Sequence, residues 1–167
     1  MGRTMRSAAA GAMLVTGTVS TTQSSGRARP VDPWAYLYVL PVWLALGCQL
    51  WQLGAKAVWW DEGWSVYLAR QPVWQIVRES LHTLHPPLHY LLLHSWIQLA
   101  GETEFAARFH SVTFGVASVA LLGRLARDLW DPRTGLVAAT LLAVAPLHVA
   151  WSQEIRMYIP AEFLVLL

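Results

Sequence analysis

Residues 33–55 read PWAYLYVLPVWLALGCQLWQLGA, and none of them carries a charge. At about 1.5 Å per residue, a helix over this stretch is roughly 35 Å long, enough to cross a hydrocarbon core of about 30 Å. Trp34 and Tyr36 stand near one end and Trp51 near the other, where amphipathic rings settle at membrane–water boundaries. The stretch predicts a first transmembrane helix that can kink at Pro41. Arg3, Arg6, Arg27 and Arg29 precede it, so the positive-inside rule places its start in the cytoplasm.

Composition points the same way. Of 167 residues, 55% are hydrophobic and 13% charged, with a mean hydropathy of +0.38; a soluble domain carries about 25% charged residues. Ten tryptophans and a net charge of only +2 fit an interface-anchored membrane protein. They give no basic stripe for nucleic acid, so none is expected as a partner. All but one of the twelve basic residues are arginine, the exception being Lys56. The single cysteine, Cys48, excludes an internal disulfide and lies in an apolar run, where it reads as a small hydrophobe.

Residues 1–30, rich in Ser, Thr, Gly and Ala, are expected to form a disordered cytoplasmic tail. A signal peptide is the alternative, but its apolar stretch is diluted by Gly11, Thr16, Gly17 and Thr18. In residues 56–86 aromatic and charged side chains interleave, which suits amphipathic helices at the outer membrane surface. Residues 87–101 and 109–123 are apolar runs of similar length. The second is flanked by Arg108, Arg124 and Arg127, whose side chains can snorkel to the interfaces. Residues 105–127 are therefore expected to be the second span, and 87–101 a juxtamembrane or re-entrant helix. Asp131-Pro132-Arg133-Thr134-Gly135 reads as a turn and residues 135–151 as a third span. Residues 159–167 begin another apolar segment. The expected fold is all-α: an incomplete polytopic transmembrane bundle of three spans with juxtamembrane helices in its first outer loop. On this reading, residues 31–167 are the N-terminal part of a truncated domain. Three spans leave the larger share of basic residues inside, and gather Asp61, Glu62, His85, Arg108, Glu154 and Arg156 on the outer face.

Each of these residues has a plain reading and a chemical one. Asp61-Glu62, beside Trp59, Trp60 and Trp64, are either solvated loop acids or partly desolvated carboxylates suited to general-base work. His85, ahead of Pro86-Pro87, is an interfacial histidine or a ligand for an anion or metal. His82 and His89 stand close by in sequence, so a divalent metal stays open. Arg108 either snorkels, pairs with Glu102 or Glu104, or holds a phosphate with its planar fork. Ser152-Gln153-Glu154-Ile155-Arg156-Met157-Tyr158 sets acid, amide, base and phenol at one outer helix end, as a cap or as part of a site.

Five pieces in order resemble the C-type (GT-C) membrane glycosyltransferases, in particular the bacterial group similar to protein O-mannosyltransferases and aminoarabinose transferases. They are Trp60-Asp61-Glu62, the run from His85-Pro86-Pro87 to His94, Glu104-Phe105-Ala106-Ala107-Arg108, Phe114-Gly115, and Ser152 through Tyr158. The resemblance implies a glycosyltransferase moving a hexosyl or pentosyl group from a polyprenyl-phosphate donor to a lipid, glycan or protein acceptor. It implies a multi-pass protein of the plasma (inner) membrane with its active face outside. Carried over, Asp61 is the base, and Glu62 supports it or helps to position the acceptor. His85, Arg108, Glu154, Arg156 and Tyr158 then bind substrate, with Arg108 on the donor phosphate. A transporter or flippase for lipid-linked sugars, or a non-catalytic membrane fragment, are the competing readings. The near absence of ionisable residues within the spans favours interfacial chemistry.

Overall fold

The computed structural model describes residues 36–83 and 85–167, and the expected tail at 1–30 lies outside them. Eight helices account for most of the described residues, among which there is no strand.

The first continuous helix, α1 (Val39–Leu50), carries Pro41 in its first turn, and a turn at Tyr38 separates it from the helical residues 36–37, where the N–H missing from Pro41 would have bonded. Its end has an unusual partner. The Gln153 side-chain amide donates towards the carbonyls of Trp51 at 2.8 Å, Gln49 at 3.2 Å and Cys48 at 3.4 Å. Those are orphan acceptors of a helix C-terminus. The chain then turns through Gln52, at a left-handed φ of 57°.

Two short helices follow, α2 (Trp60–Ala69) and α3 (Val73–Thr83). Asp61 and Glu62 lie in the first turn of α2, where carboxylates favour the positive end of the helix dipole. Next comes α4 (Pro87–Ala100), which opens on a proline at its first position and stops at Gly101, whose φ is +87°.

The long helix α5 (Glu104–Leu129) has 26 residues and a Thr103 cap, whose hydroxyl accepts from Ala106 N–H. At about 39 Å it is long enough to cross a membrane. It is also the hub of the bundle, packing on α1, α4, and the three helices that follow: α6 (Pro132–Val144), α7 (Pro146–Ser152) and α8 (Tyr158–Leu166). Small residues let these backbones approach. A Cβ on Gly135 would fall 2.5 Å from the Gly123 carbonyl, and one on Gly115 2.6 Å from Gln49 Oε1. Ala45, Val119, Ala139 and Ala143 fill the seam between α1, α5 and α6. Close approach through Gly and Ala is how helices associate when lipid surrounds them. The outer faces suit that solvent, with Trp43, Leu141, Leu147 and Val165 all exposed.

Of the three expected spans, only α5 is a single helix long and apolar enough to cross a membrane among the described residues; α6 and α7 pass only taken together, and α1 is too short. The run at 135–151 is broken by 59° between α6 and α7. Pro146 drives Ala145 into extended backbone and cannot donate to the ladder. The helix expected over residues 33–55 is continuous for only 12 residues in α1, about 18 Å, between the turn at Tyr38 and the end at Leu50, where Gln153 meets the terminal carbonyls. The turn expected at 131–135 shrinks as well. Asp131 caps α6 directly, accepting from Arg133 and Thr134 N–H at 2.8 and 3.1 Å.

Candidate active site

Two carboxylate–arginine pairs lie at the mouth of the bundle, and they differ in kind. The inner one joins Glu62 of α2 to Arg108 of α5, with side-chain exposures of 1% and 2%. Arg108 Nε donates to Glu62 Oε1 at 3.0 Å and Nη2 to Oε2 at 2.8 Å. Nη1 donates to the carbonyls of Leu53 and Lys56 at 3.0 and 2.8 Å, and Nη2 also to Ala57 at 3.4 Å. A guanidinium has five N–H donors, and here all five are committed. Glu62 Oε1 accepts in addition from Ile155 N–H at 3.1 Å. One ion pair therefore fastens the α1–α2 loop, α2, α5 and the segment before α8 together.

The sequence suggested Arg108 on a donor phosphate and Glu62 as support for Asp61 or for an acceptor. Arg108 has no donor left for a phosphate, and Glu62 offers no free carboxylate oxygen to an acceptor. Both are tied into the surrounding backbone. Adjacent residues on a helix point about 100° apart, so burying Glu62 leaves Asp61 facing outward.

The outer pair is Asp61 with Arg156. Arg156 Nη1 stands 3.3 Å from Asp61 Oδ2, with exposures of 14% for the arginine and 39% for the acid. Arg156 is held over two rings, 5.9 Å from the Trp59 centroid and 5.5 Å from that of Tyr158, and its Nη2 donates to the Tyr158 hydroxyl at 3.3 Å. Cation–π contacts orient the fork without consuming its donors. Tyr158 is steadied in turn by Trp151, 4.3 Å away between centroids.

The remaining expected site residues lie around these pairs. Glu154 is partly buried with Oε2 unpartnered, and its carboxyl is pushed above the usual range by burial and by the Glu62 charge. His85 sits at the entry to α4 with a buried, unpartnered Nδ1. His82 is exposed. Among the described residues no three of His, Cys, Asp and Glu come together as a metal site.

Two features were not read from the sequence as substrate-binding components. His89 is buried with both ring nitrogens unpartnered, 6.0 Å between centroids from His110. Its pKa is pushed down to about 3, chiefly by burial, with His110, Arg156 and His85 adding to the effect. Its signal was the i, i+4 spacing from His85 across the prolines. The other feature is the surroundings of the outer pair. An apolar cavity of about 290 Å³ runs between α4 and α8, lined by Leu88, His89, Leu92, Met157, Tyr158 and Leu164 among others. On the α2 side an open aromatic groove of about 500 Å³ is lined by Val58, Trp59, Trp60, Gly63, Trp64 and Tyr67.

No curated protein and no solved structure matches the sequence. A family model described as dolichyl-phosphate-mannose-protein mannosyltransferase matches residues 84–167, half of the chain. The matched part contains His85, Arg108, Glu154, Arg156 and Tyr158, while Asp61 and Glu62 lie upstream of it. On that match, the chain belongs to the dolichyl-phosphate-mannose-protein mannosyltransferase family.

Proposed function

We propose that this protein transfers a sugar from a polyprenyl-phosphate donor to an acceptor hydroxyl at the outer membrane–water interface, with Asp61 as the base and Arg156 on the donor phosphate. Members of the family are membrane glycosyltransferases that use such donors. The observation that carries the reading is the Asp61–Arg156 pair itself, partly exposed and standing between an apolar cavity and an aromatic groove.

The chemistry follows from that arrangement. The donor's isoprenoid chain lies in the apolar cavity, and its phosphate meets Arg156 and Tyr158 at the rim. As the phosphate takes the Arg156 fork, Asp61 is released towards the acceptor, which is seated along the tryptophans of the groove. Asp61 accepts the acceptor's hydroxyl proton while the oxygen attacks the anomeric carbon. The bond from that carbon to the phosphate oxygen breaks, and the electron pair leaves with the phosphate. Charge grows on that oxygen in the transition state, and a fixed guanidinium stabilises it there more than in the ground state. A single displacement inverts the anomeric centre. Glu62 and Arg108 contribute by fixing the turn that carries Asp61, and Glu154 and His85 line the approach. On this reading the protein is a multi-pass component of the plasma membrane with its site facing outside.

The test is transfer of labelled sugar from a polyprenyl-phosphate donor in membranes bearing Arg156→Ala or Asp61→Asn. Arg156→Ala is expected to weaken donor binding, and Asp61→Asn to spare donor binding while stopping transfer. Unchanged donor affinity in Arg156→Ala would remove the arginine from the phosphate.

A further inference from the structure

The other end of α5 carries a second cleft that the proposed transfer does not use. It lies between α1, α5 and α6, has a volume of about 180 Å³, and is lined by Tyr38, Val42, Ala120, Arg124, Arg127 and Ala139. Along the helix axis it is roughly 25–30 Å from Arg108.

We propose that this cleft binds one anionic phospholipid, with an acyl chain on its apolar floor and the phosphodiester on Arg124 and Arg127. The floor is Val42, Ala120 and Ala139, with no polar side chain among them. The rim is held in place. Tyr38 donates its hydroxyl to the Pro132 carbonyl at 2.8 Å, and the Arg127 guanidinium lies 5.8 Å from the Tyr38 ring centroid. Gly123 and Gly135 let α5 and α6 close beneath that ring.

Charge selects the occupant. Arg124 and Arg127 share one carboxylate, Asp128, at 3.6 and 3.1 Å. The next acid, Asp131, is spent on the N-terminus of α6 and on the Thr134 hydroxyl, and Arg133 beside it is exposed. With Asp131 set against Arg133, the two arginines of the cleft face the single carboxylate of Asp128. The excess is positive and stands where the span ends, which is the depth of a lipid phosphate. A zwitterionic lipid brings its own cation to this rim and gains less. A free phosphate gains nothing from the apolar floor.

The test is native mass spectrometry of the protein released from nanodiscs holding equal phosphatidylglycerol and phosphatidylcholine of the same acyl chains. Preferential retention of one phosphatidylglycerol is expected, and Arg124→Gln with Arg127→Gln reduces it by roughly fivefold per arginine. Ala120→Trp, at an exposed position that fills the floor and leaves both arginines in place, is expected to abolish it as well. Equal retention of the two lipids by the unaltered protein would overturn the proposal, as would a preference that survives both variants. Displacement of the lipid by millimolar inorganic phosphate, with Ala120→Trp without effect, would make this a free-phosphate site and equally overturn it.

Discussion

Asp61 and Glu62 are neighbours in sequence, and each meets an arginine, yet the two pairs are built in opposite ways. The Glu62–Arg108 pair is fully buried, and both partners are saturated with bonds to the surrounding backbone. The Asp61–Arg156 pair is partly exposed, joined by one contact, and shares its arginine with two aromatic rings. A saturated pair has nothing left to offer a substrate, and its removal leaves a bare buried charge. An unsaturated pair can exchange its partner for a phosphate or a proton. Burial and bond count, not residue type, separate the two pairs.

The sharpest way to break this comparison is to remove each acid in turn. Asp61→Asn keeps the shape and deletes the base, so transfer is expected to fall by about 10²–10⁴-fold, with the thermal unfolding midpoint unchanged. Near-normal transfer would show that Asp61 is not the base. The buried pair should answer in the other currency. Arg108→Ala leaves Glu62 buried and unpaired, and is expected to cost about 3–5 kcal/mol of stability. The double variant Glu62→Leu with Arg108→Met removes both charges together, and should recover much of that loss in unfolding measurements. If the double variant is stable but has lost donor binding, Arg108 touches the donor after all.

A smaller effect tests the interior beside the outer pair. His89 titrates near 6.5 in an unfolded chain and at about 3 in the folded one. Between those values the unfolded chain binds more protons, so stability is full above pH 6.5 and declines as the pH falls towards 3. His89→Phe should flatten that decline between pH 6.5 and 4. An unchanged slope would mean that the acid sensitivity arises elsewhere.

Much of the frame was legible because it depends on local pattern. Arginines at both ends of an uncharged run located α5, and interleaved charges and aromatics located α2 and α3. What stayed hidden depends on distant partners. Nothing near residues 60–64 says which of Asp61 and Glu62 turns inward, since that is decided by Arg108, 46 residues along the chain. The break before α7 was visible in Pro146, but the charge-free run around it read as one span. The site shows the same division. The aromatic and basic residues at 152–158 were recognised as a group, whereas the role of Arg156 needed Trp59, Asp61 and Tyr158 around it.

The smallest effect tests the most distant of these dependences. Gln153 reaches three terminal carbonyls of α1 from 102 to 105 residues away. It also stands two residues before Ile155, whose N–H holds Glu62, and three before Arg156. Gln153→Ala leaves those carbonyls to other donors and should cost about 1 kcal/mol, the net worth of a typical intramolecular hydrogen bond. The informative readout is activity. If the cap only ends a helix, transfer stays normal once stability is matched. If it sets the register of the segment bearing Arg156, the KM for the donor rises while Asp61-dependent turnover at saturation is retained. The Gln153→Glu variant separates these outcomes further, because a carboxylate cannot donate to carbonyls and should be worse than alanine at a cap built on donation.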